Sequence, residues 1–133
     1  MLLPTAAARA ELVAVLNQRN PASAVSLQQL RLIYSAYKRT WPDGTAIELL
    51  LPPSGSTAMQ AMVGKVFKRQ SEQEVTQYYV GLVFEQKLVR PPSQPSVSES
   101  LARVRAAPGA IAIVERDEVA DPGGLHLVPV DGL

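Results

Sequence analysis

Residues 26–57, SLQQLRLIYSAYKRTWPDGTAIELLLPPSGST, decide how this chain is read. Leu27, Leu30, Ile33, Tyr34 and Tyr37 recur at helical spacing, so the first part predicts a helix with one apolar side. Ser26 with Gln29 three positions on forms a capping box that satisfies orphan amide donors at the helix start. Trp41, Pro42, Asp43 and Gly44 then stop the helix, because a residue before proline avoids the helical region and Asp-Gly favours a turn. Residues 46–51 (AIELLL) are apolar except for Glu48, the pattern of a strand covered on both faces. Ser54, Gly55, Ser56 and Thr57 follow, presenting hydroxyls and flexible backbone where another helix begins. Such a turn can hold an anion, and it can equally serve only as a helix cap.

Working outward, residues 12–16 (LVAVL) read as a buried strand, and residues 17–23 (NQRNPAS) as a turn-forming loop. Beyond Thr57, the residues Met59, Met62, Val63, Val66 and Phe67 form one face of a second helix, whose last turn carries Lys65, Lys68 and Arg69. Ser71 with Glu74 opens a third helix with the stripe Val75, Tyr78, Tyr79, Leu82 and Val83, joined by Phe84. Residues 89–95 (VRPPSQP) are an irregular connection, since proline is excluded from helix interiors. Ser96 with Glu99 opens a fourth helix with Val97, Leu101 and Val104 inward, and Pro108 and Gly109 end it. Residues 110–114 (AIAIV) are a second buried strand. Residues 121–124 are a turn, and residues 126–130 (HLVPV) a last strand whose Pro129 suits an edge. Strands separated by helices predict an α/β fold: a single three-layer domain with a mixed, mostly parallel sheet of about four or five strands flanked by helices.

Composition sets outer bounds. The chain has 133 residues, enough for one domain with its own core, and 47% are hydrophobic, so it should fold. A formal net charge of +1 gives no reason to expect a nucleic-acid surface. With no cysteine, disulfides, thiolate catalysis and cysteine-ligated zinc are excluded. No segment is long enough to insert across a membrane as a helix. Residues 1–10 (MLLPTAAARA) end in Ala8-Arg9-Ala10, which matches the small-x-small pattern of signal peptidase sites. They are expected to be the remnant of an export signal, with the mature chain starting near Glu11, or else a disordered Ala-rich N-terminus.

The order of these pieces resembles the phosphate ABC-transporter substrate-binding proteins of the type II periplasmic binding-protein group. The matching pieces are Asn17-Gln18-Arg19-Asn20-Pro21 after the first strand, Ser26-Leu27 with Leu30, Ile33 and Tyr34, and Trp41-Pro42-Asp43-Gly44. Ser54-Gly55-Ser56-Thr57, Phe84 with Lys87, and Pro108-Gly109-Ala110-Ile111 complete the set. The helix leading to Trp-Pro-Asp-Gly is the most telling of them. Full-length members clamp their ligand between two lobes, whereas residues 11–133 resemble one lobe in a short single-lobe form. The resemblance implies a periplasmic, non-enzymatic solute-binding domain. Phosphate or another small oxyanion would lie at Ser54, Gly55, Ser56 and Thr57, and an envelope transporter or receptor would be the partner. The alternative is an interaction module of the cell envelope that kept the lobe and lost the ligand, docking on a partner or on itself. Two departures bear on this choice. No arginine lies near the 54–57 turn in sequence, where phosphate binders of this group place one. The family's Gly-Ala-Ile-Gly-Tyr segment has become Gly109-Ala110-Ile111-Ala112-Ile113.

Other residues read more simply. His126, the only histidine, has no second ligand at metal spacing. Trp41 reads as a packing plug over its turn, and Tyr34, Tyr37, Tyr78 and Tyr79 as core or inter-helix contacts. Met59 and Met62 read as core, and Lys65, Lys68 and Arg69 as a solvated helix end. Glu115, Asp117 and Glu118 lie beside Arg116 in a loop without the framing of an acid/base pair. No nucleophile elbow, phosphate-loop lysine or dinucleotide fingerprint is present, so no cofactor and no metal are expected.

Overall fold

The computed structural model describes residues 11–85, 91 and 94–133. The expected export remnant at residues 1–10, Lys87, and most of the irregular connection at 89–95 lie outside the described residues. The first strand, β1 (Leu12–Asn17), is buried at every position and forms the middle of the fold. Helix α1 (Leu27–Tyr34) follows, then the short strand β2 (Glu48–Leu49). Helix α2 (Thr57–Ala61) continues directly into a π-helical turn, Met62–Val66. Helices α3 (Glu72–Phe84) and α4 (Val97–Ala106) precede strand β3 (Ala110–Glu115) and strand β4 (Leu125–Pro129). The sheet order is β2-β3-β1-β4.

This is the expected single α/β domain with a four-stranded mixed sheet, but the sheet is not mostly parallel. Only β2 and β3 run parallel, while β1 is antiparallel to both β3 and β4. The reason lies in the connections. A helical crossover returns the chain in its original direction, yet β3 enters beside β1 only after the long excursion through all four helices. The 3₁₀ turn at Arg116–Glu118 and the turn held by Gly124 then lead into β4 on the far side of β1. Pro129 sits on an edge strand, where its missing N–H costs no ladder bond.

Alternation along the strands builds two cores. Leu12, Ala14, Leu16, Ile111 and Ile113 face α1, α2, the π turn and α3, while Val13, Val15, Ala112 and Val114 face Leu101 and Val104 of α4. Helices therefore cover both faces, giving three layers. Asn17 closes one end: its side-chain N–H groups donate to the carbonyls of Val104 at 2.8 Å and Arg105 at 3.0 Å. It thereby caps the C-terminus of α4 from the end of a strand.

Three local expectations are corrected. Helix α1 ends at Tyr34, and Ala36 takes a left-handed backbone with φ of 69°. This breaks the helical phase and leaves Tyr37 83% exposed rather than in the core. The strand expected over residues 46–51 keeps a regular ladder only at Glu48–Leu49, because Ala46 bridges back to Thr40 across the turn. Phe84, expected to join the apolar stripe of α3, is 84% exposed at the helix end. Glu48, the one charge in that strand, makes a two-pronged ion pair with Arg103 of α4, whose Nη2 lies 2.7 Å from Glu48 Oε1.

Candidate functional site: the hydroxyl turn at residues 54–57

Pro52 and Pro53 cannot donate to a ladder, so the chain leaves the sheet there and folds into a tight turn. The Ser56 N–H donates to Pro53 O at 3.1 Å, and Gly55 adopts φ of 77°, a conformation that favours glycine. Ser56 is the N-cap of α2, its hydroxyl accepting from Met59 N–H at 3.1 Å. Thr57 and Ala58 supply the first-turn amides, which have no intrahelical acceptor. Ser54, Gly55 and Thr57 are exposed, and Ser56 is half-buried. Both capping and an accessible row of donors are therefore present in one turn.

The structure adds a group that sequence reading missed. The Gly55 N–H donates to a carboxylate oxygen of Glu72 at 3.1 Å, from the first turn of α3. Gln60 closes the turn from the other side, its side-chain N–H donating to Gly55 O at 3.3 Å. The turn thus already holds one anionic oxygen, supplied by the chain itself. Nothing in the sequence signals this contact, because an acidic residue such as Glu72 in a helix's first turn is favourable without any partner outside the helix. No arginine or lysine among the described residues bonds to the turn.

The remaining candidates are placed as follows. Trp41 is buried, its indole N–H donating to Gly109 O at 2.9 Å, so it plugs the turn as expected. Tyr34 and Tyr79 are buried and Tyr78 partly so; the Tyr79 hydroxyl donates to Tyr34 O at 2.6 Å. Burial pushes both the Tyr34 and Tyr79 phenols well above the usual tyrosine range. Ala112 and Ile113, where the resemblance has glycine and tyrosine, are both buried in the sheet. His126 is exposed on β4. Near the 3₁₀ turn, burial first and then the neighbouring Glu118 and Asp117 raise the Glu115 carboxyl, while Arg116 pairs with Glu11 at 2.8 Å. Among the described residues no three His, Cys, Asp or Glu side chains converge on a metal-sized site. No helix of the described residues is long and apolar enough to cross a membrane.

A three-layer α/β unit with a four-stranded mixed sheet defines a class of fold, that of one lobe of the two-lobed periplasmic-binding-protein architecture. Within that class the chain resembles the phosphate ABC-transporter substrate-binding proteins. It superposes on an ABC-type phosphate transport receptor from Vibrio cholerae with a TM-score of 0.69 at 13% identity, over 92% of this chain and 47% of that one. PstS from Borrelia burgdorferi gives a TM-score of 0.69 at 13% identity, over 92% of this chain and 48% of that one. A phosphate-bound structure from Clostridium perfringens, described as a phosphate ABC transporter substrate-binding protein, gives 0.65 at 19% identity, over 93% and 46%. The chain thus spans about half the length of the solved structures it matches. No family model matches the chain, and no curated protein does.

Proposed function

We propose that this chain is a non-catalytic, exported solute-binding lobe that contacts phosphate or a similar small oxyanion at Ser54, Gly55, Ser56 and Thr57. The observation that carries the reading is the Glu72 carboxylate on the Gly55 N–H, which marks the turn as a place where the backbone takes a negative oxygen. An incoming oxyanion displaces that carboxylate and gains the hydroxyls of Ser54, Ser56 and Thr57. One lobe supplies one wall, so the lone chain binds weakly and a second chain, such as an envelope transporter or receptor, completes the grip. The small-x-small pattern at residues 8–10 supports export.

Amide-resolved NMR during a titration with sodium phosphate tests this reading. Saturable shifts at Gly55, Ser56, Thr57 and Ala58 are expected, several-fold tighter in Glu72→Ala, which frees the Gly55 amide. Unmoved amides there in both proteins, with the fold intact, would discard it. A second reading, an interaction module that retained the lobe without the ligand, is favoured by the large apolar side chains left in water at Tyr37 and Phe84.

A further inference from the structure

We infer that the crevice between the end of α1, the π turn and α3 is a second anion site, in which Arg31 and Arg69 take a compact oxyanion dianion, phosphate or sulfate. The crevice holds about 190 Å³ and is lined by Arg31, Ser35, Val66, Phe67, Arg69 and Tyr78. That is below the size of pockets for drug-sized ligands, which begin near ~300 Å³. It is ample for one tetrahedral oxyanion with bridging waters, each of which occupies about 30 Å³ in the liquid.

The charge at this crevice is unbalanced. Arg31 spends its Nε–H on Lys65 O at 3.0 Å, and among the described residues no carboxylate pairs with it. Arg69 lies over the Tyr78 ring, 5.7 Å from its centre, again without a carboxylate among the described residues. Elsewhere on the surface Arg103 pairs with Glu48 and Arg116 with Glu11, while Arg39 and Arg105 donate to backbone carbonyls of their own neighbourhoods. Complementing the negative end of α1 accounts for one cation at this point. It does not account for two unpaired guanidinium groups opening on the same small space.

The geometry also sets what kind of ligand fits. The Nε bond of Arg31 to Lys65 O restricts the orientation of its guanidinium and leaves its terminal N–H groups available. The Tyr78 ring steadies the plane of Arg69. Guanidinium groups held in this way lose little freedom on binding and match oxyanion oxygens in pairs. The Tyr78 hydroxyl donates to Ser35 O at 2.7 Å and the Ser35 hydroxyl to Leu32 O at 3.1 Å. Both hydroxyl protons are therefore turned into the protein, and the charged residues lining the crevice, Arg31 and Arg69, are cationic. Such a site favours a ligand that presents several hydrogen-bond-accepting oxygens and carries more than one negative charge.

The arginine side-chain Nε–H resonances, followed by NMR while sodium phosphate or sodium sulfate is added at low ionic strength, test the inference. Saturable shifts at Arg31 and Arg69 with a millimolar midpoint are expected, along with at least tenfold weaker binding in the Arg31→Gln/Arg69→Gln double variant. Arg→Lys at both positions should fall between, keeping charge and losing the fork. Linear shifts reproduced by sodium chloride at equal ionic strength would overturn the site, as would unchanged binding in the double variant. Arg69→Gln alone breaks no inter-element hydrogen bond of the side chain, so it keeps the test decisive if the Arg31 variant unfolds. These reporters are distinct from the amides at residues 55–58, so either anion site can fail without the other.

Discussion

Gly109 shows how much a single position can decide. A Cβ built there would meet the Ala46 carbonyl oxygen at 1.9 Å and Thr45 Cγ2 at 3.0 Å. Its own carbonyl accepts both the Trp41 indole N–H and the Glu48 N–H, each at 2.9 Å. The backbone just after the Trp-Pro-Asp-Gly turn, at Thr45 and Ala46, is thus pressed against the entry to β3, and Gly109→Ala must push the two apart. The expected cost is about 1–3 kcal/mol, the usual range for overpacking, read as a lower urea midpoint at unchanged slope. Trp41→Phe should cost a similar amount, about 1–3 kcal/mol, because it leaves a buried carbonyl short of one donor; thermal melting checks it. The sequence marked Trp41 as a plug and Pro108-Gly109 as a stop. That the plug closes on that glycine was not legible, since nothing local to either segment encodes their 68-residue separation.

Among the elements, α3 is the one whose packing is most specific. Tyr79 and Tyr34 each meet the Phe67 ring edge-on, at 5.7 Å and 6.1 Å between centroids, which locks α1, the end of the π turn and α3 together. The Tyr34 hydroxyl also donates to Leu50 O at 3.0 Å, tying the cluster to the sheet. Because burial raises both phenols, the folded chain keeps protons that the unfolded chain loses above its ordinary tyrosine pKa of about 10. Their contribution is therefore full below about pH 10 and declines as pH rises beyond it. The thermal midpoint should fall steeply above about pH 10, and Tyr79→Phe should make that fall shallower while costing about 1 kcal/mol at neutral pH. Helix starts were well legible here, because Ser26, Ser71 and Ser96 each cap through a local rule three residues long. Helix ends were not. The left-handed residue that ends α1 is Ala36 rather than a glycine, with the Tyr37 and Lys38 N–H groups both donating to Leu32 O, so Tyr37 was misplaced.

For the whole molecule, the apolar runs revealed which strands are buried but not how they pair. Strand direction depends on where each helix lands, and that is a property of the assembled layers. The candidate turn was legible as residue types, yet the Glu72 contact that shapes it joins two elements and appears only once they are packed. The sheet order has a consequence for how the chain comes into being. β1 precedes the other strands among the described residues, yet Leu12 pairs with Glu115 and Val13 with Pro129, far later in the sequence. A ribosome releasing this polypeptide exposes LVAVLN with neither neighbour until β3 and β4 emerge. Variants truncated after residue 109 should therefore show no cooperative melting by circular dichroism, since both partners of β1 are gone. Until residues 110–129 arrive, a nascent chain therefore carries an unpaired apolar strand, the kind of transient surface that aggregates unless chaperones shield it.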